Sequence, residues 1–432
     1  MFDPANQPFF RLDVAGLSRP LAVTSFSGHE AVSELFAFEL DVPGETIRTD
    51  PGGLMHRRCF LHLGAAGQGI HGQIQGINLR SSGLARGHYR LSLGPRLGVL
   101  AQRLRRRLFQ QRTVPDIIAQ VLGEHGIRGD AFHFVLKGRG LPRAYCTQFD
   151  ESDLVFIQRL CAEEGLHFHF QHSRETHRLV FTDGLGGLRR AREARFCPEE
   201  GPGVEDFRIS LSGQARRRGG RSQEQAQGES DLPGLHCASL LPLSGHPCAA
   251  WNRLWLLTAL EHRGDSSPFE AGRLFYRNLF RATSWEVALR SPGRPPKPRL
   301  PGLFRARVAA GERCDAQGRL AVQLRVFYQG EGARPDVCRL PLDRSALVDV
   351  DGFVAGLEVG TPVWVRFADG DPDRPRIVGR ADTLSSPAPM VGTDDSAVPL
   401  FEWLRTGHPL VLIGPPASAG RSSSCSRRDG LS

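Results

Sequence analysis

A mainly β fold with a few α-helices is what this 432-residue sequence predicts: a long N-terminal module of short strands, then a small five-stranded barrel. Three observations predict it. Runs with period-2 apolar alternation recur, as in Arg319–Val326, where Leu320, Val322, Leu324 and Val326 share one face. Gly, Pro and Ser punctuate those runs at close spacing, as turns between strands require. Full helical patterns with caps occur in 113–126 and 150–165.

The first strands are expected within 9–14, 21–30, 35–42, 59–63, 69–77 and 88–93, a set that suggests a barrel or sandwich. The basic stretch 100–112 places Leu100, Leu104 and Leu108 on one face, leaving Arg103, Arg105, Arg106, Arg107 and Arg112 solvated; a phosphate grip is the weaker reading. The spacing predicts a helix over 113–126, with Thr113 as N-cap, Asp116 as its partner and Pro115 in the first turn. Ile117, Ile118, Val121 and Leu122 form its buried stripe, and Gly126 ends it. A second helix spans 150–165, capped by Asp150 or Ser152, burying Leu154, Ile157, Leu160 and Cys161 and stopping at Gly165. Strands are expected at 145–149, 166–172 and 179–183 around it.

Residues 212–229 carry no large apolar side chain and read as a flexible loop. Order is expected to return at 241–248 and 253–262, and five prolines in 291–301 mark a stiff linker. In 302–383 the barrel strands are 303–308, 319–326, 337–340 and a hairpin, 363–367 with 376–378. The tip Asp369-Gly370-Asp371-Pro372-Asp373-Arg374-Pro375 is too rich in Gly and Pro to continue a strand. The tail 384–432 reads as mostly disordered.

Composition narrows the function classes. A charged fraction of 23% and a hydrophobic fraction of 40% fit a globular chain, and no run of 18 apolar residues is present to span a bilayer. The net charge is +9, carried almost wholly by arginine, since Lys137 and Lys297 are the lysines. Nine dispersed cysteines without C-x-x-C spacing read as reduced thiols. The N-terminus has no signal-peptide pattern.

Chemistry-bearing patterns are sparse. His167 and His169 share a strand face near His172 and His177, but a pair without a third ligand is not a zinc site, and a His-rich solvent or interface face is the expectation. Asp369, Asp371 and Asp373 mimic the start of a calcium loop, yet Arg374 and Arg380 stand where Gly and Glu belong, so the acidic tip reads as a turn satisfying itself. Hydrolase and nucleotide-binding motifs are missing from usable contexts, so no catalytic, cofactor or metal residue is assigned. A nucleic-acid-binding barrel is the alternative function, with Trp364, Phe327 and Tyr328 as stacking candidates.

Several stretches together resemble one family. Phe26-x-Gly28-x-Glu30-x-x-Ser33-x-Leu35-Phe36-x-Phe38-x-Leu40, the helix at 114–126, Gly245-His246-Pro247 with Asn252-x-x-Trp255, and Tyr145-x-x-Gln148-Phe149-x-Glu151-Ser152-Asp153 through Gly165 resemble the hub module of VgrG proteins, spikes of the type VI secretion system. The hairpin 359–380 resembles the OB-fold module that follows that hub. The resemblance implies a tandem β-barrel, phage baseplate hub-like module over 1–290 and an OB-fold spike base over 302–383. Its marker residues here are Glu151, Ser152, Asp153, Gly165, Asp369, Gly370, Asp371, Pro372, Asp373, Arg374 and Pro375. It further implies a non-enzymatic homotrimer without cofactors. Three chains would seat on the Hcp tube, together with baseplate components, a PAAR-repeat tip protein and effectors, and no nucleic acid is expected. Assembly would occur in the bacterial cytoplasm, followed by export through the type VI system without a signal peptide. The Gly/Val-rich β-helix of complete spikes is not found, so a short form or truncated remnant is expected.

Overall fold

Seven strands supply the N-terminal part of the first core. These are β1 (Arg11–Val14), β2 (Leu21–Ala22), β3 (Ser25–Ala31), β4 (Ala37–Pro43), β5 (Arg58–His62), β6 (Gly69–Arg80) and β7 (His88–Gly94). The computed structural model describes residues 10–47, 50–64, 67–80, 87–138, 140–212, 223–266, 275–285, 295–309, 314–327, 337–347 and 349–381. The expectations for the tail 384–432 and for Tyr328 lie outside the described residues.

After β7 come β8 (Leu104–Arg112), α1 (Val114–Glu124), β9 (Phe132–Val135), β10 (Arg143–Ser152), α2 (Asp153–Glu164), β11 (His167–His172) and β12 (His177–Thr182). Short β13 (Arg189–Arg190) and β14 (Ala194–Arg195) lead to β15 (Val204–Ser212), β16 (Gln223–Ser230), β17 (Ser239–Ser244), β18 (Leu254–Asp265) and β19 (Phe275–Ser284). The last unit holds β20 (Leu303–Val308), β21 (Arg319–Leu324), β22 (Cys338–Pro341), the short α3 (Val350–Ala355), β23 (Pro362–Phe367) and β24 (Pro375–Arg380).

One sheet runs through both N-terminal halves, in the order β15-β16-β19-β18-β3-β4-β7-β6-β5-β1-β2. Its seam is the antiparallel pair β3–β18, with Glu30 opposite Leu260 and Gly28 opposite His262. Gly28 leaves room for the Phe38 ring, which a Cβ would meet at 2.0 Å. A second, smaller core gathers around Trp255, Leu257, Phe280 and Phe207. The C-terminal unit is a five-stranded sheet ordered β22-β21-β20-β23-β24, with a bridge between Leu342 and Ile377 bringing its two edges together.

Four expectations are corrected. Residues 223–230 are not loop: they form β16, hydrogen-bonded to β15 and β19, with Ala226 fully buried. Backbone pairing on both sides supplies what this polar sequence lacks in apolar residues. The segment 104–112 is a strand, so Leu104 and Leu108 do not share a face with Leu100 in the assumed way; Leu104 is 63% exposed. Its central arginines are ion-paired rather than freely solvated. Helix α2 begins at Asp153, with Asp150 and Glu151 still in β10. Finally, His167 and His169 are buried, not on a solvent-facing surface.

Candidate functional site

Two polar knots hold this architecture, and the sequence-marked residues converge on the first. Ser152 caps α2 by accepting from the Val155 N–H, and Gly165 closes it at φ 68°. Glu151 and Glu163 grip Arg159, whose side chain has no solvent exposure, at 2.6 and 3.0 Å. Burial opposes the charge on Arg159, but the two carboxylates hold its guanidinium above its usual value. Asp153, also buried, receives Arg107 at 2.5 Å, His125 at 2.6 Å and the Gln148 amide at 2.9 Å. Burial pushes its carboxyl up; the donors outweigh that and hold it below the usual range.

Thr147 on β10 is the pivot between the N-terminal module and the barrel. Arg159 donates to its carbonyl at 2.8 Å. Its N–H donates to Asp373 at 2.6 Å, and its hydroxyl donates to the Pro372 carbonyl at 2.6 Å. The acidic tip is therefore a docking loop as well as a turn. It does satisfy itself in part, since Asp371 accepts from the Asp373 N–H and Arg374 pairs with Asp369. Asp369 and Gly370 take positive φ (58° and 70°), and the Gly370 carbonyl accepts from Leu300. Lys297, from the stretch read as a linker, binds Asp371 at 2.6 Å and Asp373 at 2.7 Å. Pro375, buried, begins β24. Leu108, Tyr145 and Phe149 pack against the barrel core, and the Tyr145 hydroxyl donates to the Arg339 carbonyl at 2.6 Å.

The second knot escaped the sequence reading, although Glu30 lies in one of the quoted motifs and His262 in the strand expected at 253–262. Glu30, 3% exposed on β3, faces His262 Nε2 at 3.0 Å, His236 Nδ1 at 3.3 Å and His172 Nε2 at 3.7 Å. A carboxylate can only accept, so His262 carries its proton on Nε2 and accepts at Nδ1 from the Tyr276 hydroxyl at 2.8 Å. Burial opposes ionisation of Glu30, but the His236 charge and the imidazole hydrogen bonds hold its carboxyl well below the usual range. His172 Nδ1 meets the His71 N–H at 3.2 Å, and His71 contacts His177 at 2.9 Å. Burial first, then neighbouring imidazoles, push His71 down to about 4 and His177 to about 3. Among the described residues no three His, Cys, Asp or Glu side chains are arranged to hold a metal ion.

Of the stacking candidates on the barrel, Trp364 is only 7% exposed, and Phe327 packs edge-on against Phe149 and Phe367. Neither offers the open ring face that a base would need.

Comparison with known proteins agrees with the fold. The phage tail baseplate hub (GPD) family matches residues 29–222. The chain is 37% identical to the type VI secretion system spike protein VgrG4b of Pseudomonas aeruginosa over 90% of its own length, and 35% identical to VgrG5 of the same species over 88%. It spans 58% of each of those two proteins. A solved E. coli protein, c3393, described as a type VI secretion component resembling the T4 tail proteins gp27 and gp5, superposes with a TM-score of 0.70 at 25% identity. That match covers 85% of this chain and 99% of c3393.

Proposed function

The chain is a relative of the VgrG spike proteins of the type VI secretion system, with the phage baseplate hub fold, and from that premise we propose that it is a structural subunit of the spike base. Three copies would present six barrel-like units to an Hcp tube, and the C-terminal barrel, in OB-fold form, would begin the narrowing towards the tip. The hub is taken as 1–290, the connection as 291–301 and the spike-base barrel as 302–383. A PAAR-repeat tip protein, baseplate components and effectors would be its further partners. Assembly in the bacterial cytoplasm would precede export by the type VI route. Among the described residues no helix is long and apolar enough to cross a membrane.

One observation carries the reading: the barrel is fixed to the N-terminal module through Thr147, Asp373 and Lys297, with Tyr145 and Phe149 packed on the barrel core. A spike must pass axial load from base to tip, and a barrel on a free tether would swing aside. A non-enzymatic role fits Arg159, Asp153 and Glu30, whose perturbed side chains are each tied to protein partners. The test is the mass of the purified chain in solution. A trimer is expected; monomer alone at high concentration overturns the proposal.

A further inference from the structure

A cleft of about 500 Å³ opens beside the Glu30 knot and plays no part in the spike reading. It lies between β11, the turn at 67–69, and the segments 189–193 and 232–239. Its volume falls in the range of small-molecule sites, roughly 300–1,000 Å³. Phe170, Leu232 and Leu235 give it an apolar wall. At its mouth Arg190 and Arg192 are exposed, and neither side chain has an ion-pair or hydrogen-bond partner among the described residues. Arg189 beside them donates to Gln171 at 3.3 Å. Glu193 is the carboxylate among the lining residues, against three arginines.

Two further groups point inward. His236 gives Nδ1 to Glu30, which leaves its Nε2 as the polar atom for the cleft, with the side chain 26% exposed. His169, 3% exposed, lines the cleft, and its buried Nε2 has no partner. An unpartnered buried nitrogen costs free energy unless something answers it. Burial also pushes His169 down to about 4, so it is neutral near pH 7 and lines the cleft as an uncharged ring.

We propose that this cleft binds an organic anion. Arg190 and Arg192 would take a carboxylate or phosphate, a planar guanidinium matching either in a forked contact. A compact apolar body would lie against Phe170, Leu232 and Leu235. Glu30 is engaged by His172 at 3.7 Å and by His236 at 3.3 Å.

The test is calorimetric titration of the full chain, independent of assembly. N-acetylleucine represents the carboxylate, its neutral amide the same body without charge, and inorganic phosphate the charge without the body. N-acetylleucine should bind saturably, its amide at least about tenfold more weakly, and phosphate more weakly than N-acetylleucine. The double substitution Arg190→Gln with Arg192→Gln should weaken N-acetylleucine at least about tenfold while leaving Tm unchanged, since both side chains are exposed and unpaired. Equal binding of the amide, or an unaltered double variant, overturns the anionic contact. Phosphate bound as tightly as N-acetylleucine overturns the apolar one, and no saturable binding of any probe in the millimolar range overturns the site.

Discussion

The two polar knots solve the same problem with opposite chemistry. At the junction a buried cation, Arg159, is surrounded by Glu151 and Glu163; at the sheet seam a buried anion, Glu30, is surrounded by His172, His236 and His262. Guanidinium stays charged across the whole physiological range, so the junction keeps its cation throughout, while burial holds the Glu151 carboxyl above its usual value. The seam instead sets imidazoles against its carboxylate, and burial holds His71, His172 and His177 below the usual imidazole value. The part that must carry load between hub and barrel is built around the pH-indifferent cation.

The sharpest way to break this contrast is Arg159→Ala. It strands the buried carboxylate of Glu151, leaves Glu163 with Arg143 alone, and should cost about 3–5 kcal/mol, seen as a large drop in Tm at pH 7. A loss below about 1 kcal/mol would mean that water reaches the pair and that the junction is not a buried knot.

Acidification separates the two knots next. His71 and His177 are held at about 4 and about 3 in the folded chain, below the ordinary imidazole value near 6.5. The unfolded chain therefore binds their protons first, and stability falls as pH drops from about 6.5 towards 4. Glu30, held well below the usual carboxylate range, adds a further loss once pH falls beneath about 4.5. Denaturant melts should show a loss of roughly 4 kcal/mol from these two imidazoles between pH 7 and 5, about 2 kcal/mol each, since each unit of displacement is worth about 1.4 kcal/mol. The variant His71→Phe with His177→Leu should flatten that slope; an unchanged slope assigns it elsewhere.

Asp373→Ala removes the acceptor of the Thr147 N–H and one partner of Lys297. It should cost about 1–2 kcal/mol and loosen the barrel from the hub, exposing the 295–301 stretch to protease before the hub melts. Cleavage no faster than in the parent chain would place the docking strength in Tyr145 and Phe149 instead. The smallest effect belongs to Arg374→Ala, whose partner Asp369 is 84% exposed; about 0.5 kcal/mol or less is expected, in any salt.

Much of this was legible from local pattern. Thr113 and Ser152 cap their helices, Gly126 and Gly165 end them at positive φ, and Val363, Val365 and Phe367 face the barrel core. Each follows from neighbours within a few residues. The acidic tip was legible as a turn, but not as a clamp, because Thr147 lies 226 residues away from Asp373. The Glu30 knot was hidden for the same reason. Its histidines come from β11, β18 and the segment before β17, and the one His-rich stretch drew attention to a metal set rather than to a carboxylate far upstream.

By itself the sequence determined the strand and helix periods, their caps and stops, and the family likeness carried by Glu151-Ser152-Asp153 and the 369–375 tip. Only the tertiary structure decided that Gln223–Ser230 is a strand and that β8 is extended with its arginines paired. It also decided that the two halves join through β3 and β18. The physical reason is one of range. Capping and periodicity act over a few residues, whereas a polar strand such as β16 has no apolar stripe of its own and exists because β15 and β19 offer it hydrogen bonds on both edges.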